Sequence, residues 1–302
     1  MRKVSILVFF LFAVLAASAQ EESKNDTIES PWKTGARTNL SFSQVSLTNW
    51  ASGGENSISG NFNGHIFANY INKNSKWENA LDVAYGLMKQ GEDAWIKTDD
   101  RLELVSKYGR KAFMNNENWY YSAMFSLKTQ FNEGYDYPND SVMISKFMAP
   151  GYLMFAMGLD YNPNDNFSMS YSPVTGKTTI VNDQKLAGKG AFGVDAGEKI
   201  RYEFGGFAKF MYNKEIWKNV EMATKLGLFS NYFNNPLNID INWDFTLNMK
   251  VNEYLSASVN TTLLYDDDVD IKVDSNNDGN IDSEGPRIQF KEVLGIGLRF
   301  KF

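Results

Sequence analysis

The chain has 302 residues, no cysteine, a net charge of −6 and 15% aromatic residues, at a mean hydropathy of −0.38. Without cysteine no disulfide framework holds it, and without a basic block it is a poor partner for nucleic acid. No apolar run reaches the roughly 20 residues that a membrane-crossing helix needs, so a helical membrane protein is excluded as well.

In chain order, Met1-Arg2-Lys3 gives a positive head, Val4 to Ala16 an apolar run, and Ala17-Ser18-Ala19 a small-residue cleavage site before Gln20. That arrangement predicts a secretory signal peptide over residues 1–19, whose loss leaves the mature chain more acidic still. Residues 20–34 are polar and read as a flexible periplasmic tail. From residue 35 to 302 the dominant signal is alternation. Ile58, Gly60, Phe62, Gly64, Ile66, Ala68 and Tyr70 share one face against Ser59, Asn61, Asn63, His65 and Asn69 on the other. Ile239, Ile241, Trp243, Phe245, Leu247, Met249 and Val251 interleave in the same way with Asp240, Asn242, Asp244, Thr246, Asn248 and Lys250.

Strands are predicted at residues 36–47, 58–71, 77–87, 98–110, 117–131, 149–161, 166–173, 199–212, 219–232, 238–251, 254–266 and 287–302. The last of them, Arg287 to Phe302, alternates with Glu292 as its one polar residue on the apolar register and ends on an aromatic. The predicted fold is all-β: an antiparallel transmembrane barrel of about 12 strands, or 14 if a long loop hides another hairpin, with both termini periplasmic. Glu292 lies ten residues from the end, which places it near the outer edge of the apolar band, where a charge costs little.

Connections give an independent check, because such barrels have short turns at one rim and longer loops at the other. Residues 72–75, 162–165, 213–216 and 252–253 are compact and mostly Asn-rich, while residues 132–148, 174–198 and 267–286 are long. Tyr70, Trp77, Trp119, Tyr161, Phe167, Tyr212, Trp217 and Tyr254 flank the short set, as an interfacial aromatic girdle should. A soluble lipocalin-like barrel or sandwich is the competing architecture, but aromatics at this density would overfill its interior.

Several stretches also resemble a known family: Asn49 to Asn56 (NWASGGEN), Leu102 to Gly109 (LELVSKYG), Ser172 to Lys177 (SPVTGK), Asn238 to Trp243 (NIDINW), and the ending from Gln289 to Phe302. The chain is similar in these to the uncharacterised outer-membrane family called domain of unknown function 3078. The resemblance implies a barrel in the cell outer membrane of a Gram-negative bacterium of the Bacteroidota, and it carries no activity with it.

Alternation turns Glu78, Asp82, Arg101, Glu103, Lys107, Lys128, Arg201, Glu203, Lys209, Asp240, Asp244, Lys250, Arg287, Lys291 and Arg299 into the lumen. About 8 strands leave an interior that side chains fill and about 16 an aqueous channel, so mixed charges in a 12-stranded barrel should narrow or close it. Asp274, Asn276, Asp278 and Gly279 reproduce the opening of a calcium loop, with Asn280 and Asp282 at later ligand positions. Gly285 stands where the bidentate Glu belongs, so only weak Ca²⁺ binding in the 266–284 loop is expected, with Asp266, Asp267, Asp268 and Asp270 available to complete the shell. His65 is the one histidine; a hairpin about residues 72–76 makes Asp82 its neighbour, and Ser41 is the expected partner across the preceding loop. Ser41, His65 and Asp82 are the weak candidates for acyl-transfer catalysis. Thr175-Gly176-Lys177-Thr178 echoes a phosphate loop without its first glycine and reads as plain loop.

The expected function is a narrow pore or transporter for a small polar solute, not an enzyme. A non-transport structural or interaction partner of other envelope proteins is the alternative, and a lumenal Ser/His/Asp hydrolase the third reading. Outer-membrane lipid is the expected surrounding.

Overall fold

The computed structural model describes residues 30–48, 55–137, 139–273 and 282–301. The signal peptide, residues 20–29 of the tail, and Asp274, Asn276, Asp278 and Asn280 of the calcium motif lie outside them, and the last three tail residues, 32–34, belong to a strand. Twelve strands close into one antiparallel barrel. In chain order they are β1 (Trp32–Val45), β2 (Ser57–Ile71), β3 (Ser75–Gln90), β4 (Ile96–Phe113), β5 (Asn116–Thr129), β8 (Gly151–Asn164), β9 (Phe167–Ile180), β10 (Ile200–Trp217), β11 (Val220–Asn231), β12 (Ile239–Lys250), β13 (Leu255–Tyr265) and β16 (Gln289–Lys301). Each barrel strand neighbours the next of these in the chain, and β1 pairs β16 to seal the cylinder, with Arg37 opposite Lys301 and Ser41 opposite Gly297.

The long loops do contain hairpins: β6 (Gly134–Asp136) with β7 (Asn139–Ser145), and β14 (Asp270–Val273) with β15 (Ser283–Pro286). Both form separate two-stranded sheets, so the barrel has 12 strands and the 14-stranded alternative falls. The first strand starts at Trp32, four residues before the expected edge, because Trp32 pairs with Tyr70 and packs edge-on against its ring at 5.4 Å.

Asparagines close the short turns by a common device. Asn164 accepts from the backbone N–H groups of Asn166 and Phe167, both at 3.0 Å, and Asn252 from those of Tyr254 and Leu255 at 2.9 and 2.7 Å. Two predicted turns are corrected: residues 162–164 end β8, with the reversal at Asp165-Asn166, and residues 213–216 are strand, with the chain reversing at Lys218-Asn219. Asn219 takes the positive φ of 67° there, and its N–H is held by the Glu215 carboxylate at 2.9 Å. Trp32, Trp77, Trp217 and Tyr254 stand exposed around this rim.

The division of surfaces is inverted relative to a soluble protein. Leu40, Phe42, Phe155, Trp243, Phe290, Leu294 and Ile296 are exposed on the outer wall, while Asp160, Thr175, Thr179, Glu203 and Lys177 are buried inside. That distribution is the opposite of the one a lipocalin-like barrel requires, in which the apolar face of each strand turns inward.

At the opposite rim the β9–β10 connection folds back over the lumen. It carries the short helix α1 (Gln184–Gly188) and a single 3₁₀ turn (Ala191–Gly193). Val181, Leu186, Ala187 and Val194 bury against Ala149, with Met143, Ala191 and Phe192 packed on them, a small core of its own at that rim.

Candidate functional site

The polar registers of β3, β4, β5, β8, β9, β10, β11, β12 and β13 converge in the lumen, where burying a charge is costly unless it is paired. Three pairs reach across it, all from β4. Glu103 meets Lys225 of β11 at 3.1 Å, Arg101 meets Asp244 of β12 at 3.8 Å, and Asp99 meets Lys291 of β16 at 2.7 Å. In the closed strand order β12 is six positions from β4, β11 five and β16 four, so the first two pairs join opposite walls and the third crosses a third of the circumference.

Shorter-range clusters flank them. Lys107 binds Asp160 at 2.7 Å and Glu78 at 3.3 Å, and Ser122 donates to Asp160 at 2.9 Å. Lys177 is held by Asp240 at 2.6 Å, Glu203 at 3.4 Å and Asp266 at 3.5 Å, while Arg201 bridges Glu203 at 3.0 Å and Asp268 at 3.3 Å. Thr262 donates to Asp244 at 2.8 Å.

The Glu103–Lys225 bridge stands between two chambers. One, of about 390 Å³, is lined by Arg37, His65, Asp82, Thr246 and Asn260 among others. The second, of about 430 Å³, lies against Met124, Tyr152, Phe207 and Phe229 and is overlain by Phe192, Val269 and Ile271 from the loops. Glu103 and Lys225 border both.

Most residues predicted for the lumen are there. Glu78, Asp82, Arg101, Glu103, Lys107, Lys128, Arg201, Glu203, Lys209, Asp240, Asp244 and Lys291 line the chambers or their clusters, and Lys250 keeps the inward register at the short-turn rim, opposite Ser256. Arg287 is a correction: it precedes β16 and donates to Ser283 at 2.7 Å in the loop, because the strand begins only at Gln289. Of Arg299 only the backbone is described, opposite Asn39.

His65 and Asp82 do meet, directly opposite in register with Nδ1 and Oδ1 2.6 Å apart. Ser41 does not join them. It pairs with Asn61, and its hydroxyl donates to the Asn61 carbonyl at 3.4 Å, whereas Arg37 stands opposite His65. Four residues of extended chain put Ser41 roughly 13 Å along β1 from that point. The register shift arises because β1 begins at Trp32 and pairs without a bulge through Val45.

Three of the four acidic residues expected to complete a calcium shell are otherwise engaged, and Asp270 opens β14 opposite Pro286. Asp266 and Asp268 face Arg201 and Lys177, and Asp267 accepts from Tyr265 at 2.8 Å and from Asn238. Asp282 lies just before β15, its N–H donating to the Val273 carbonyl at 2.8 Å. Among the described residues no group of three or more ligand side chains gathers for a metal.

Several lumen charges stand outside the set expected from the sequence, among them Arg37, Asp99, Lys225, Asp160 and Lys177. Lys225 has a clear signal, since it alternates with Thr224 and Leu226 on a recognisable strand. Asp160 likewise follows from the alternation of β8, near its end. Lys177 has none, because it sits in a stretch that reads as loop.

The family model described as "Protein of unknown function (DUF3078)" matches residues 42–135. Over that segment the resemblance read from the sequence is borne out. No curated protein matches the chain. Among solved structures, the COG4313 outer membrane channel of Pseudomonas putida F1 aligns at 12% identity over 93% of this chain and 100% of its own, with a TM-score of 0.38. The translocator domain of the autotransporter NalP from Neisseria meningitidis aligns at 10% identity over 99% and 96%, with a TM-score of 0.34. OmpF of Salmonella typhi in complex with daunomycin aligns at 10% over 90% and 97%, with a TM-score of 0.27. All three superpose loosely, and the barrel is defined by its own strand pairing.

Proposed function

We propose that this chain is an outer-membrane barrel that passes a small polar solute through a lumen narrowed by ion pairs. An apolar exterior over a closed cylinder suits a lipid bilayer, where no unpaired sheet edge is tolerated. The observation that carries the pore reading is the Glu103–Lys225 pair between a polar chamber and a mainly apolar one, with the Arg101–Asp244 pair beside it on the polar side. Lys225 and Arg101 keep 32% and 33% of their side-chain exposure against 13% and 23% for Glu103 and Asp244, so the pairs are wetted on their cationic side and stand between the surface and the buried class. A constriction of such part-wetted pairs narrows the resting lumen while leaving water a path to the cations.

Planar-bilayer recording tests this. The wild type should give small single-channel steps, and Glu103→Ser combined with Lys225→Ser should enlarge them while the folded band on unboiled gels persists. Silence from both proteins, together with no liposome swelling, would overturn the pore reading. That outcome favours the second reading, a braced barrel that serves other envelope proteins, to which the same cross-wall bridges also lend support.

A further inference from the structure

The chamber against Met124, Tyr152, Phe207 and Phe229 has an unusual combination of features. Its walls are mainly apolar, yet four lysines face it: Lys128, Lys177, Lys209 and Lys225. Two of these are accounted for, Lys225 by Glu103 and Lys177 by Asp240, Glu203 and Asp266. Among the described residues Lys128 and Lys209 make no hydrogen bond and no ion pair. Their strand neighbours explain why. Lys209 stands opposite Ser170 and Gly227, neither of which carries a charge, and Lys128 stands opposite Tyr152 and Glu103, whose carboxylate is taken by Lys225. The amide oxygen of Asn242, on the same chamber, also finds no donor.

Unpaired ammonium groups in a low-polarity cavity are costly to keep, and an anion relieves that cost. The anion must also suit the rest of the wall, where Phe207, Phe229, Met124 and Met154 offer ring faces and thioethers rather than hydrogen-bond donors. The volume of about 430 Å³ lies within the roughly 300–1,000 Å³ of small-molecule sites. Phe192, Val269 and Ile271 cover it from the loop side, so an occupant is held on its apolar surface from above as well.

We infer that this chamber binds a small organic carboxylate with an apolar body, its carboxylate held by Lys128 and Lys209 and its body by the Phe207–Phe229 side. As a solute class for the pore it rests on the reading above, but the binding site is testable without conduction.

Calorimetry on the full chain, folded in detergent micelles at mildly acidic pH, uses benzoate, its neutral counterpart benzamide, and inorganic phosphate as probes. Saturable benzoate binding is expected, with benzamide and phosphate each about tenfold weaker or worse. The Lys128→Met/Lys209→Met double variant, which keeps side-chain length and removes two unpaired charges, should lose benzoate binding by about a hundredfold. A wild-type measurement needs no variant: hexanoate should displace benzoate and hexanol should not. Benzamide binding as tightly as benzoate, benzoate binding unchanged in a folded double variant, or displacement by hexanol would each overturn the site. Conductance without benzoate binding removes the site and leaves the pore; benzoate binding in a barrel that never conducts removes the pore and leaves the site.

Discussion

Asp183 caps α1 by accepting from the N–H groups of Lys185 and Leu186 at 2.8 and 3.0 Å, and it binds Lys146 at 2.6 Å. The bond from Lys146, joined by that from the Leu186 N–H, holds its carboxyl below the ordinary carboxylate range. The sign follows from that direction. A carboxylate whose folded pKa is depressed contributes its stability above the unfolded value, and the contribution is lost as pH falls through the folded one. The β9–β10 connection should therefore loosen on acidification below about 4, read as faster proteolytic cutting within residues 181–199 while the barrel itself stays folded. Asp183→Ala should produce the same loosening at neutral pH, at a cost of about 1 kcal/mol, and should remove the acid dependence. At this scale the sequence discloses which face a charge occupies and no more. Glu103 is legible as a lumen residue, but its partner Lys225 lies 122 residues away on the opposite wall. No local pattern encodes a distance that depends on strand number and tilt.

Among the elements, β9 departs most from its sequence expectation. The alternation breaks at Pro173, because proline withdraws a backbone donor and the register slips there. Instead of ending, the strand passes through an irregularity between the Met157 and Leu159 pairings on one side and the Gly205 and Phe207 pairings on the other. Burial follows the slip: Ser172 faces inward, and then Thr175, Lys177 and Thr179. One extra residue thus turns a charged lumen strand into something that reads as a polar loop. Gly158 of β8 makes room for it, since a Cβ there would collide with the Tyr171 carbonyl and Ser172. Gly158→Ala should lower the temperature at which the folded band is lost on gels, equivalent to about 1–3 kcal/mol. Gly176→Ala, at a position where a Cβ meets nothing within 4 Å, should leave it unchanged.

At the scale of the whole molecule the strand order, the two classes of connection and the inverted surface are all legible, because a two-residue period repeated twelve times leaves few architectures. The cross-wall pairs belong to this scale too. Arg101→Asp alone sets two carboxylates face to face across the lumen; with Asp244→Arg the pair is restored in reverse. The single variant should be less stable by about 1 kcal/mol, given the exposure of both groups, and the double variant should recover most of it in thermal gel-shift measurements.

Along β4 the inward charges run minus, plus, minus at Asp99, Arg101 and Glu103, and the groups that meet them run plus, minus, plus at Lys291, Asp244 and Lys225. Sliding the strand by one pleat in either direction would set like charges against each other. A barrel closed with β4 one pleat out of register would therefore meet repulsion at its centre, and Lys291 of β16 supplies one of the three positions at which the error is felt.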